Sequence, residues 1–147
     1  MADIPEEHLT EELLDRLLAS ASIEQYLDEG LVSARTLTDY LFDRMEAHDL
    51  RRADVVRASG LNATVVYDIF SGQKPPRPRS RQLSLAFGLK CTLRETQRLL
   101  RLAGVSELWC KQRRDAIIIW CIRNGFDRIA TDDELYRMGE ATLLPAD

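Results

Sequence analysis

The sequence predicts an all-α protein, and three observations lead to that prediction. First, apolar residues recur at the spacing of one helical face, as in the stripe of Leu37, Tyr40, Leu41 and Met45. Second, Ser, Thr or Asn precedes several such segments and glycine follows them, as at the ends of helices. Third, only one segment would suit a strand equally well, and it has no partner strand. Five helices between residues 33 and 104 are expected to surround one core.

The predicted helices follow one another with start and stop signals. Thr36 or Ser33 can cap the third helix, and capping boxes at Thr92 and Thr131 begin two later ones. Three prolines in residues 73–80 (QKPPRPRS) exclude helix and strand there. The expected helical spans are residues 6–19, 22–29, 37–48, a helix pair in 52–72, and then 81–88, 92–103, 113–124 and 131–140.

The ambiguous segment is residues 116–122 (AIIIWCI), whose isoleucines suit a buried strand or a helix. We favour a helix that ends at Gly125, because no second strand candidate exists to pair with it. Such an apolar helix must be buried against several neighbours or against a second subunit.

Residues 52–72 (RADVVRASGLNATVVYDIFSG) predict a helix-turn-helix. Gly60 lies where the turn needs a positive φ, which glycine adopts without a Cβ penalty. The side chains expected to face inward are Val55, Val56 and Ser59 before the turn, and Leu61, Val66 and Ile69 after it. This leaves Ala63, Thr64 and Tyr67 facing outward on the second helix, where small or polar groups suit approach to a flat partner.

The charge is distributed unevenly along the chain. The whole sequence has a net charge of −4, which argues against a nucleic-acid partner. Residues 1–50, however, carry 13 acidic and three basic residues, net −10, whereas residues 51–101 carry 11 basic and three acidic residues, net +8. A partner experiences the local field within a screening length of about 10 Å. The basic block coincides with the helix-turn-helix, which favours DNA.

This motif resembles the XRE family of lambda-repressor-like and Cro-type helix-turn-helix proteins, over about residues 37–104 and most closely over 52–72. The matching positions are Gly60 at the turn, Val55, Leu61, Val66 and Ile69 between the helices, and Gly72 at the end of the second helix. Longer phrases, YDIFSGQKPPRPRS, LAFGL, ETQRLLRLAGV and RRDAIIIWCI, resemble a bacterial subgroup with helical extensions at both ends. The resemblance implies a lambda-repressor-like five-helix DNA-binding core in residues 33–104. It is preceded by an acidic helical arm (1–32) and followed by a C-terminal helical extension packed on the core (105–147).

Ten residues are expected to contact double-stranded DNA. Asn62 caps the second helix and can also contact a phosphate or an adenine, while Ala63 and Thr64 can meet base edges and Tyr67 a phosphate. The proposed phosphate contacts are Arg51, Arg52, Lys74, Arg77, Arg79 and Arg81. For each set, the alternative is an ordinary solvated surface.

Three residues depart from what the resemblance implies. The family usually has glutamine where this chain has Arg52, and a small alanine where it has Val56. Arg52 can replace phosphate contacts with a charged, bidentate group, and Val56 would push the two helices slightly apart. Asp68 lies on the same helix as Tyr67, and its carboxylate is unfavourable near phosphate unless it pairs with an arginine or faces away.

Other classes of protein find little support in the sequence. There is no phosphate-binding glycine loop, nucleophile elbow or metal-spaced Cys/His set, so we expect no enzyme, no cofactor and no metal. His48 is expected to lie near a helix end. The three cysteines have no CxxC spacing and are expected to be reduced, mostly buried thiols of a cytoplasmic protein. The acidic start (MADIPEEHLTEELLD) lacks a basic region, so no signal peptide is expected, and no apolar run is long enough to span a membrane.

The sequence therefore favours a cytoplasmic transcriptional regulator that binds double-stranded DNA as a homodimer with its apolar C-terminal helices in contact. A monomer that buries these helices in its own core is left open by the sequence. The alternative is a protein-binding adaptor that uses the helix-turn-helix core as a scaffold. Whether the acidic arm packs on the body, swaps onto a second subunit or shields the basic surface is left open by the sequence.

Overall fold

The computed structural model describes residues 10–28, 36–72 and 78–145, and all regular structure within these ranges is helical. The all-α prediction is therefore confirmed for this part of the chain. The helices are α1 (Thr10–Ala19), α2 (Ile23–Asp28), α3 (Leu37–Ala47), α4 (Arg52–Ser59), α5 (Ala63–Phe70), α6 (Arg79–Gly88), α7 (Leu93–Leu102), α8 (Arg113–Arg123) and α9 (Arg128–Arg137).

The chain divides into two units, of which the first contains α1 and α2 and the second α3 to α9. In the first unit, the Ser22 hydroxyl oxygen accepts a hydrogen bond from the Gln25 N–H at 3.1 Å and so caps α2. Three predicted features lie outside the described residues: the start of the first helix at residue 6, the alternative cap Ser33 of the third helix, and the domain boundary at 32–33.

Two apolar clusters form the core of the second unit. The first lies among α3, α4, α5 and the ends of α6 and α7, and the second joins α6 and α7 to α8 and α9. On α6, Leu85 belongs to the first cluster and Leu83 to the second. On α7, Leu99 belongs to the first cluster and Leu100 to the second. Helices α6 and α7 therefore link the helix pair α4–α5 to the C-terminal helices.

The segment with strand-like composition is helix α8, as expected. Ile118 is buried in the second cluster and Cys121 is also buried. Trp120, in contrast, is 53% exposed, and its ring packs edge-on against Phe126 with a centroid distance of 5.2 Å. The helix is thus buried on one side and presents an aromatic ring on another.

Two helix starts differ from the prediction. Helix α9 begins at Arg128 and is capped by Asp127, whose Oδ1 accepts a hydrogen bond from the Ala130 N–H at 2.8 Å. Thr131, the predicted cap, is wholly buried inside the helix. Helix α6 begins at Arg79, two residues earlier than expected, because Pro78 directly before the helix lacks only an N–H that would make no intrahelical hydrogen bond there.

Glu95 ties α3 to α7. Its carboxylate accepts hydrogen bonds from the Thr92 N–H at 2.9 Å and from Arg44, and it lies 3.0 Å from His48 Nε2. The Thr92 capping box is therefore confirmed, and so is the prediction that His48 lies near a helix end. Burial raises the pKa of Glu95, but the Thr92 N–H, His48 and Arg44 lower it further, so the net pKa lies below its usual 4.5.

We expect Glu95 to make folding sensitive to acid. Because its folded pKa lies below the unfolded value, its contribution is fully present above about pH 4.5 and is lost as the pH falls through the lower folded pKa. Urea unfolding between about pH 6 and pH 3 should therefore show a smaller loss of stability for Glu95→Gln than for the wild type. The exposed Glu46 on α3 supplies the control, since Glu46→Gln should keep the wild-type pH profile. A Glu95→Gln profile parallel to the wild type would contradict this assignment.

Candidate nucleic-acid interface

The turn between α4 and α5 is built by backbone and side-chain hydrogen bonds at fixed offsets. Gly60 has φ +72°, in the left-handed region, and its N–H donates to the Val56 carbonyl at 3.2 Å. The Ser59 hydroxyl donates to the same carbonyl and accepts a hydrogen bond from the Leu61 N–H at 3.2 Å. Leu61 is buried directly after the turn, which fixes where α5 begins.

Asn62 caps α5 as predicted, because its Oδ1 accepts a hydrogen bond from the Thr64 N–H at 2.7 Å. Val66, Ile69 and Phe70 are buried in the first apolar cluster. The outward positions are exposed as expected: Ala63 and Thr64 in the first turn and Tyr67, 48% exposed, in the next. The first two turns of α5 therefore present small and polar groups followed by one aromatic ring.

Arg52, the first residue of α4, lies over the aromatic residues beside α5. Its guanidinium carbon is 5.1 Å from the ring centroid of Tyr67, 5.6 Å from that of Phe70 and 5.8 Å from that of Phe42. These cation–π contacts orient the guanidinium while leaving its N–H groups unused within the described part of the chain. The side chain is exposed, so these donors are accessible to an external anion.

Phe42 was not among the predicted site residues. It lies on α3, is 40% exposed and packs edge-on against Phe70 with a centroid distance of 5.1 Å. The helical stripe predicted for this segment omitted it, because it falls between the buried Leu41 and the partly buried Met45. Its partial exposure beside Arg52 adds an aromatic edge to the surface around α5.

The predicted phosphate contacts fall into three groups. Arg51 is 90% exposed at the start of α4, with its Nε 3.9 Å from Asp54. Arg81 is partly buried on α6. Lys74 and Arg77 lie outside the described residues.

Arg79 is bound within the protein, which corrects the prediction that it contacts a DNA phosphate. Its guanidinium makes a bidentate pair with Asp115 at 2.9 and 2.8 Å, and it also donates to the carbonyls of Ser106 and Glu107. Asp115 is 2% exposed on α8, and it accepts a further hydrogen bond from the Trp109 N–H. Because its donors are used within the protein, Arg79 anchors α6 to the C-terminal helices and is not a candidate for phosphate binding.

The turn is covered by the C-terminal segment, which the sequence did not indicate. A Cβ placed on Gly60 would lie 2.7 Å from Arg128 Nε and 2.7 Å from Leu144 Cδ1. Asp132 holds Arg128 and the backbone next to Leu144, since it accepts hydrogen bonds from Arg128 at 2.9 Å and from the Leu143 N–H at 2.6 Å. We call Arg128, Asp132, Leu143 and Leu144 the C-terminal clasp. It connects helix α9 directly to the turn.

The three cysteines differ in how far they are buried. All three cysteines are free: Cys121 is buried, Cys91 is partly buried and Cys110 is exposed. Burial raises the pKa of the Cys91 thiol to about 12, so it stays protonated.

Within the described ranges, no helix is long and apolar enough to cross a membrane, and no three Asp, Glu, His or Cys residues are grouped to hold a metal ion. Comparison of the chain with protein-family models, with curated proteins and with solved structures found no match.

Proposed function

We propose that this protein binds double-stranded DNA in the bacterial cytoplasm through α4 and α5, as a transcriptional regulator with an XRE-type, lambda-repressor-like core. The observation that carries the proposal is the geometry of the helix pair. A left-handed glycine turn separates two eight-residue helices, and the first turn of the second helix is exposed. That arrangement is typical of a helix-turn-helix whose second helix enters the major groove.

The chemistry of α5 supports contact with bases. Ala63 and Thr64 lie at the N-terminal end of the helix, which is the end that meets base edges in this mode of docking. The Ala63 methyl suits a thymine methyl group, and the Thr64 hydroxyl can donate to or accept from a base edge. Neither side chain obstructs a close approach of the helix to the groove.

The surrounding charge supports contact with phosphates. Arg51 and Arg52 lie at the start of α4, and the chain after α5 carries Lys74 and Arg77, whose role stays a prediction. Backbone contacts of this kind fix the register of a protein on DNA without reading its sequence. Stacking on Tyr67 restricts the Arg52 guanidinium before binding, which lowers the entropy lost when it meets a phosphate.

A homodimer completes the proposal. One short helix reads too few base pairs for useful specificity, so two copies related by a two-fold axis would place their reading helices about 34 Å apart. The exposed Trp120 on α8 marks the C-terminal helices as the proposed dimer surface.

The second candidate is a protein-binding adaptor. The exposed Phe42 and Tyr67 beside Arg52 favour it, because aromatic and arginine side chains are enriched at the centres of protein interfaces. In this reading the same surface of α5 binds a protein partner in place of DNA.

The discriminating experiment is duplex binding against salt concentration. A randomised duplex pool is first enriched on the wild-type protein, and the dissociation constant is then measured over a range of salt for the selected sequence. We expect Arg51→Gln/Arg52→Gln to weaken binding and to reduce the slope of log K against log salt by about 2, since each lost phosphate contact removes about 0.9. Thr64→Ala should relax sequence preference and leave the salt slope unchanged.

The control carries the same change in charge on the C-terminal helices. Arg123 and Arg137 are exposed on α8 and α9, so Arg123→Gln/Arg137→Gln should keep the wild-type salt slope. Because these helices are also the proposed dimer surface, sedimentation must show that this variant has the wild-type oligomeric state. Absence of duplex binding at low salt, with a protein that remains folded, would favour the adaptor. Equal slopes for the two double variants would show that α4 does not face the phosphates.

A further inference from the structure

A cleft of about 450 Å³ lies behind the helix-turn-helix, between α4 and the connection from α8 to α9. Its apolar lining includes Phe87, Ile122 and Phe126. The size falls within the range of small-molecule sites, and the mixture of aromatic and aliphatic side chains suits an apolar ligand body.

The charged groups of the cleft are mostly cationic. Arg57, Lys90 and Arg128 line it, against a single carboxylate, Asp127. The Asp127 carboxylate is already used, because its Oδ1 caps α9 by accepting from the Ala130 N–H. The lining therefore combines an apolar wall with three cations, two of which share their charge with a carboxylate outside the cleft: Arg57 lies 3.8 Å from Asp54 and Arg128 2.9 Å from Asp132.

Arg128 is incompletely satisfied in this arrangement. Its Nη1 donates to Asp132 at 2.9 Å, but its Nε is buried and lacks a hydrogen-bond partner among the described residues. An unmet donor on a side chain that is only 16% exposed is unfavourable. Because the Nε lies against Gly60, which does not line the cleft, an anion there would meet the guanidinium through its Nη groups.

From these observations we propose that the cleft binds a small amphipathic anion, such as a medium-chain aliphatic carboxylate. The chain would lie against Phe87, Ile122 and Phe126, and the carboxylate would meet Arg57, Lys90 and Arg128. Because Arg128 Nε lies against Gly60, such a ligand acts on the turn that precedes α5. The binding site does not depend on the proposed DNA-binding function, so the two fail separately.

The fluorescence of Trp120 can report on this site directly, because its ring packs edge-on against Phe126 in the cleft wall. The chain has two tryptophans, and the other, Trp109, is 61% exposed. In a Trp109→Phe background, octanoate should therefore change the Trp120 fluorescence saturably. Octanamide has the same chain without the charge, and it should bind at least about tenfold more weakly, as expected for the loss of charge-assisted hydrogen bonds.

Variants made in the Trp109→Phe background test which cationic residues bind the carboxylate of octanoate. Arg57→Gln/Lys90→Asn should weaken octanoate binding about tenfold or more, and asparagine suits position 90 because Lys90 has φ +56°. Arg123→Gln/Arg137→Gln makes the same change in charge elsewhere and should bind octanoate as the background does. In a ¹⁵N-labelled sample, octanoate should also shift the amide resonance of Gly60 with the same half-saturation as the fluorescence change.

Three outcomes would overturn the proposal: no saturable change with octanoate, equal binding of octanoate and octanamide, or equal binding by the two double variants. A Gly60 resonance that stays fixed while Trp120 responds would overturn the contact with the turn. Thermal unfolding of each variant, measured without ligand, separates a lost site from a lost fold.

Discussion

Arg79→Ala is expected to lower the free energy of unfolding by about 3–5 kcal/mol, because it leaves a buried carboxylate without its cation. Asp115 is 2% exposed and would retain only the hydrogen bond from the Trp109 N–H. Burial raises the pKa of Asp115, but Arg79 and the Trp109 N–H hold it below its usual value. In the variant that support is lost, so the carboxyl group must either remain charged in an apolar environment or take up a proton. Urea unfolding at neutral pH measures the loss.

The control for Arg79→Ala is a surface salt bridge on α8, the helix that carries Asp115. Arg113 is 58% exposed at the start of α8 and pairs with Glu140, so Arg113→Ala should cost less than about 1 kcal/mol. Removing both charges of the buried pair, in Arg79→Met/Asp115→Leu, should recover much of the loss, because an apolar pair of similar size avoids the cost of burying an ion. If Arg79→Ala proves no more destabilising than Arg113→Ala, the pair is not the anchor described above.

This expectation also affects how DNA-binding data are interpreted. An Arg79→Ala protein that fails to bind DNA would fail because it is partly unfolded, not because a phosphate contact is missing. Any alanine scan of the basic block must therefore be accompanied by a measurement of stability for each variant. Arg51 and Arg52 are better probes, since both are exposed and neither holds two helices together through a buried ion pair.

The helix-turn-helix was predictable because its signals are local. Gly60, Asn62 and the alternation of inward and outward residues act over a few positions, and the hydrogen bonds of the turn join residues no more than four apart. The exposure of Ala63, Thr64 and Tyr67 follows from the same short-range pattern. Local geometry of this kind is what propensity and spacing describe.

Arg79 was misplaced because its partner is distant in sequence. Asp115 lies 36 residues away, and nothing in the sequence around either residue marks them as a pair. The prolines before Arg79 were expected to exclude a helix up to residue 80, but α6 begins at Arg79 itself and the Arg79 side chain pairs with Asp115 on α8. A run of positive charge therefore indicated the sign of the local field and not the direction of each side chain.

The start of α9 shows a related ambiguity. Asp127 and Thr131 are four residues apart, and each has the chemistry of an N-cap. Starting the helix at Arg128 buries Thr131 and Leu135 on one face, one turn apart. Packing against the second cluster thus selects between two caps that local propensity leaves nearly equal. The same packing brings Leu144 onto Gly60, a contact that no local pattern indicates.

The second large effect is expected from Gly88→Ala, in the last turn of α6. Alanine normally favours a helix over glycine by about 1 kcal/mol, so an exposed site would be stabilised. Here the added Cβ would lie 2.7 Å from Ser59 Cβ and 2.8 Å from the Val55 carbonyl oxygen. Because these are backbone-proximal atoms of α4, they cannot move aside without moving the helix. We expect a net loss of about 1–3 kcal/mol in urea unfolding.

A double-mutant cycle tests whether the contact with α4 is the cause. Ser59→Gly removes the nearer obstructing atom, so Gly88→Ala should cost less in the Ser59→Gly background than in the wild type, with a coupling of about 1 kcal/mol. Gly104→Ala supplies the control: that position has φ +75° and no atom within 4 Å of an added Cβ, so its cost of roughly 1 kcal/mol should come from backbone strain alone and be the same in both backgrounds. A stabilised Gly88→Ala protein, or a cost unaffected by Ser59→Gly, would mean that α4 and α6 can separate freely. The position of α5 would then be set by the C-terminal clasp and not by the crossing of these two helices.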